Sequence, residues 1–118
     1  MGPINWLAVV LAAVVAGALA LPYYRLLGQK APRGISLLAL LGPAWLIGHN
    51  FARVGSATLA AKPWLYPMMS GGFALFIAVP LIVLLYDRQG LGWRASAVDA
   101  AYALLACLVM GGVFAALA

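Results

Sequence analysis

The side chains able to do chemistry are few in this sequence, and the closest set is Trp45, His49 and Arg53, four residues apart, with Asn50 beside them. That spacing places all three on one face of a helix. His49 could exchange a proton near neutral pH and Arg53 could attract an anion, so Trp45, His49, Asn50 and Arg53 make a candidate ligand-binding set. The plainer role for the same residues has Arg53 reaching to lipid headgroups along its aliphatic stem and His49 making one hydrogen bond between helices. Asp99 is the second candidate, with Tyr102 one turn later on the same face. Near the start of its helix a carboxylate is favoured by the helix dipole, and Arg88 or Arg94 is the expected ion-pair partner, which makes Asp99 a structural anchor. Asn5, Trp6, Asp99 and Tyr102 are together read as structural polar positions.

These residues restrict the possible reactions. The chain has no glutamate, one histidine (His49), one cysteine (Cys107) and two aspartates (Asp87 and Asp99). Protein-ligated zinc draws on several Cys, His or carboxylate groups, and this set is too small. Ser36, Ser56, Ser70 and Ser96 have no evident His–acid partnership, and Gly71-Gly72 lacks the lysine of a phosphate-binding loop. Neither catalysis, a metal nor a cofactor is expected. Cys107 reads as a small buried hydrophobe.

The elements that carry these residues are four long apolar stretches, roughly 6–27, 35–53, 67–86 and 95–118. Each comes close to the ~20 apolar residues that cross a bilayer. The chain is 67% hydrophobic and 8% charged with a mean hydropathy of +1.08, so apolar residues cover whole helices rather than one stripe. The expected fold is an all-α integral membrane protein, a compact bundle of four transmembrane helices forming a single domain over 1–118. A net charge of +5 in a soluble chain would suggest nucleic acid. Here the basic residues fall at loops and helix ends, so the partner is the lipid bilayer and no nucleic acid is expected.

Arg25, Lys30, Arg33, Arg88 and Arg94 flank the first and third connections, against Arg53 and Lys62 around the second. Basic residues are retained on the cytoplasmic side, which places connections one and three inside and both termini on the outer side. Residues 54–66 read either as a prolongation of the second helix or as an interfacial or re-entrant piece. Trp64 and Tyr66 then read as interface anchors, as do Trp6, Tyr23, Tyr24, Tyr86 and Trp93. Small residues four apart let helices approach closely in lipid. The first helix has Ala8, Ala12, Ala16 and Ala20, with Gly17 alongside; the second has Ala44, Gly48, Ala52 and Ser56. The third has Ser70, Ala74 and Ala78, and the fourth Ala103, Cys107, Gly111 and Ala115. Ala16, Gly17, Gly48 and Gly111 are the chief packing positions, and a second set of seams could serve a homo-oligomer or a partner membrane protein. Pro22, Pro43 and Pro80 lie within spans, where each removes a backbone donor.

The opening Ile4-Asn5-Trp6-Leu7-Ala8-Val9, the later Val98-Asp99-Ala100-Ala101-Tyr102 and the run Val109-Met110-Gly111-Gly112 resemble the bacterial membrane family called domain of unknown function 1761 (DUF1761). The resemblance covers the order of elements and is specific at the two ends. Leu21-Pro22-Tyr23-Tyr24-Arg25 departs from the family's Trp-Tyr-small-Pro, and Ala101 and Ala103 stand where it often has Gly and His. It implies four spans in a bacterial cytoplasmic (inner) membrane and no activity. Two function classes follow. In one, the bundle or its oligomer binds or moves a small solute or hydrophobic ligand; in the other, it is a non-catalytic structural or assembly subunit that binds partner transmembrane helices.

Overall fold

The computed structural model describes residues 4–32 and 34–118; Arg33, counted above in the first connection, lies outside the described residues. In chain order the helices are α1 (Trp6–Leu26), α2 (Gly34–Val54), α3 (Ser56–Ala61), α4 (Leu65–Arg88) and α5 (Trp93–Ala116). All but α3 are long and apolar enough to cross a membrane, and among the described residues there is no strand. The bounds fall within two residues of those expected, the usual scatter at helix ends.

Local chemistry accounts for the boundaries. The Asn5 side chain caps α1, its oxygen accepting from the Ala8 N–H at 3.1 Å, which satisfies one of the free donors of a helix start. α2 opens as a 3-10 helix (Gly34–Leu40) and turns α-helical at Leu41, so Pro43 falls just past a change of helix type rather than in mid-helix. In α4 the missing donor is Pro80, which cannot bond the Phe76 carbonyl. The turn directly before it, Ala74–Ala78, is a π-helix, with the Val79 N–H reaching back to the Ala74 carbonyl. Gly55 ends α2 at φ +93°, a conformation that favours glycine. Residues 56–61 therefore form a separate short helix, not a prolongation of α2, and that helix stops at Lys62-Pro63.

α1 and α5 run antiparallel as neighbours. Asn5 reaches the Leu117 carbonyl at one end, and the Tyr23 hydroxyl donates to the Val98 carbonyl at 2.6 Å near the other. α2 packs on α1 and on the Leu65–Phe73 part of α4, while α4 follows α5. This is an up-down-up-down bundle. Arg25, Lys30, Arg88 and Arg94 collect at the end holding the first and third connections, and Arg53 and Lys62 at the opposite end.

Small residues set the helix spacing. Ala8, Ala12, Ala16 and Ala20 of α1 are all fully buried, which lets α5 and α2 approach its backbone. Gly48 lies under the Phe114 ring, whose Cζ sits 2.7 Å from where a Cβ would stand, with Val9 Cγ2 at 3.1 Å. Gly111 is tighter: a Cβ there would run into the Ser70 side chain and lie 3.0 Å from the Tyr66 carbonyl. Ser70 cannot turn away cheaply, because its hydroxyl donates to that same carbonyl at 2.8 Å. The seams are not used along their whole length, since Ser56 and Ala115 are exposed. The outer surface reverses the order of a soluble protein: α4 has the highest mean hydropathy of the four, 2.4, and the smallest buried share, 11%.

Gly111→Ala is expected to destabilise the bundle by about 1–3 kcal/mol, the usual range for overpacking. Gly17→Ala should be nearly neutral, because its nearest neighbours are Leu40 and Leu37 side-chain atoms at 3.6–3.8 Å. Reversible unfolding in mixed micelles compares the two, and equal losses would refute this account of the seams.

Candidate functional site

Asp99 is the seventh residue of α5, a turn beyond the reach of the free N–H groups at the helix start. Its partners are not the arginines expected from sequence. The Tyr24 hydroxyl of α1 donates to one carboxylate oxygen at 2.5 Å, and the Tyr86 hydroxyl of α4 donates to the other. Asp99 thus ties its own helix, α5, to α1 and α4. Hydrogen bonds from a hydroxyl to a carboxylate are stronger than neutral ones, and they offset part of the cost of holding a carboxylate within an apolar bundle.

Three tyrosines pack together beside the site, of which Tyr24 and Tyr102 line its cavity. Tyr23, Tyr24 and Tyr102 pack ring against ring, with centroids 5.1–5.6 Å apart. Tyr102 shares a face with Asp99 but does not bond to it; its hydroxyl crosses to the Ala16 carbonyl of α1 at 2.8 Å. The crossing is possible because Ala16 and Ala20 have only methyl side chains, so the phenol can reach the backbone of α1. Tyr24 is 7% exposed, and its hydroxyl has Asp99 as its partner.

Asp99 also faces a cavity of about 440 Å³. Leu40 and Pro43 of α2 line one side, Phe73, Ala78, Ile82 and Tyr86 of α4 the other, and Asp99, Tyr102, Ala103, Ala106, Cys107 and Met110 of α5 the floor. Tyr24, Lys30 and Pro32 complete the lining at the basic end of the bundle. The cavity lies where α2 and α4 part beyond their packing at Leu65–Phe73, and its α4 wall runs past the π turn and Pro80. A space of this size, mostly apolar with a few convergent polar groups, has the character of a small-molecule site. A second cavity of about 320 Å³ lies toward the opposite end, between Asn5, Phe51, Tyr66 and Phe114.

The helix-two set is placed differently. Trp45 and His49 stack at 5.0 Å with 12° between their planes, but Trp45 and Arg53 are exposed and His49 and Asn50 half-buried. None of the four lines either cavity. The inward face of α2 is instead Ala44, Ile47, Gly48 and Phe51. Of the remaining positions singled out from sequence, Ala16, Gly17, Gly48 and Gly111 are buried in the bundle and Trp6 is exposed. Tyr24 and Tyr86 fit the sequence pattern of headgroup anchors, and their bonds to Asp99 do not follow from that pattern. The one available signal was that both lie at the helix ends that face the start of α5. Among the described residues no group of three His, Cys, Asp or Glu could hold a metal ion.

Tyr24→Phe and Tyr86→Phe should each cost about 1 kcal/mol, the typical net value of one hydrogen bond between membrane helices. Asp99→Ala should cost more than either, because it leaves the buried Tyr24 hydroxyl without a partner. Unfolding equilibria of the three variants check this, and an Asp99→Ala loss no larger than that of Tyr86→Phe would contradict it. Comparison with family models, with curated proteins and with solved structures finds no match, so what the site does is read from its own geometry.

Proposed function

We propose that this protein is an integral membrane protein of a bacterial cytoplasmic membrane that binds, and in moving it across or along the bundle releases, a small ligand with an apolar body and a polar head. One observation carries the reading: the cavity between α2, α4 and α5 has on its wall Asp99, whose carboxylate is held by hydroxyls from two other helices. An ionisable residue inside a membrane bundle is costly and is by default a functional position. The apolar lining suits the ligand body, and the Asp99–Tyr24–Tyr86 group suits its head. No covalent step is proposed. The count of basic residues favours a reading with this end of the bundle on the cytoplasmic side and both termini outside.

A second reading keeps the assembly class, on the stacked, outward-facing Trp45 and His49 with exposed Arg53. These would set register against a partner helix, either of a second copy or of another membrane protein. In that case His49→Ala would change the assembly state and leave the cavity's occupant in place.

Native mass spectrometry of the protein released from lipid nanodiscs tests the first reading. A discrete small molecule should stay with the wild-type chain and be lost from Ala103→Phe, which fills the cavity from α5. A wild-type chain that carries nothing, or a variant that retains the same molecule, would refute it.

A further inference from the structure

Among the described residues Asp99 is hydrogen-bonded but not charge-paired. Both hydroxyls that reach its carboxylate are neutral phenols, and among the described residues no cationic side chain donates to it. Hydrogen bonds satisfy the oxygens of this half-buried carboxylate, and an opposite charge would offset more of its desolvation cost than neutral donors do. We propose that the missing charge is supplied by the ligand, and that the cavity selects an amphipathic amine: an apolar body ending in an ammonium group. This rests on the cavity reading above and names the ligand class for that same site.

Three features support a cation. A carboxylate offers about four lone-pair positions, so with one tyrosine on each oxygen there is capacity left for ammonium N–H donors from the cavity side. Tyr24, Tyr86, Tyr102 and Phe73 all line the space, and aromatic faces attract an ammonium that has lost its water. Asp99 is the only acidic residue of the lining. Among the described residues Lys30 is the only basic one of the lining, and it is exposed on the connection between α1 and α2. Water and salt screen a charge there far more than one between packed helices, so the field deeper in the cavity is that of the carboxylate. A neutral head would gain only neutral hydrogen bonds, and an anionic head would be repelled.

Octylamine, octanol and octanoate differ only in the head and serve as probes, offered singly to the protein in nanodiscs, with retention read by native mass spectrometry. Octylamine should be retained at least about tenfold better than the other two, the factor expected for one charge-assisted hydrogen bond. Asp99→Asn should remove that preference, Asp99→Glu should keep part of it, and Lys30→Gln should leave it intact or strengthen it. Equal retention of octylamine and octanol, both lost in Ala103→Phe, would overturn the amine class and leave the cavity reading standing. Preference for octanoate, abolished by Lys30→Gln, would overturn it in favour of an anion. Retention of none of the three would refute the cavity reading itself.

Discussion

A carboxylate inside an apolar bundle must be held by its neighbours or not be charged at all, and the arrangement around Asp99 meets that demand with hydroxyls from two other helices. Tyr24 from the end of α1 and Tyr86 from the end of α4 both reach α5. For these hydroxyls to arrive together, the helices must hold fixed depth and rotation relative to one another. Non-directional packing of alanine and leucine permits sliding and rotation at small cost, whereas a two-donor carboxylate permits neither. The fit of Gly48 beneath Phe114, the crossing of Tyr102 to Ala16 and the parting of α2 from α4 all presuppose the register that this group sets.

The close packing and the polar group do different work. The alanine seam of α1 brings helix axes together and leaves no room for a ligand along it. Toward the Asp99 end the small residues Ala78, Ala103, Ala106 and Cys107 line the cavity instead, and the 3-10 start of α2 and the π turn of α4 alter the helical period on either side of the space. Departures from the α period within helices often accompany functional sites. Here two of them flank one cavity.

Much of the architecture could be read from composition, because four apolar stretches of spanning length admit few folds. The alanine seam of α1 was equally legible, since four small residues at one spacing give a face with no other obvious use. The site was not. His49 and Arg53 are the more conspicuous polar residues, and spacing alone puts them on one face without saying whether that face turns inward. It turns outward because Ala44, Gly48 and Phe51 supply the better packing surface on the other side of α2. Tyr24 and Tyr86 were hidden by the opposite effect: tyrosine near a helix end is the ordinary pattern of a membrane interface. Only the three-dimensional convergence on Asp99 separates them from Trp6 or Trp93, which stay exposed.

The neighbouring of α1 and α5 bears on the order in which the molecule is made. α1 precedes α5 in the chain and packs more extensively against it than against any other helix, so the contacts of α1 stay incomplete while α2, α3 and α4 are made. Until Trp93–Ala116 arrives, Tyr24 and Tyr86 have no carboxylate, Gly48 has no Phe114 above it, and Ala16 offers its carbonyl to no phenol. Each of those vacancies is closed by α5 alone, so a single helix completes contacts that the three long helices before it cannot make among themselves.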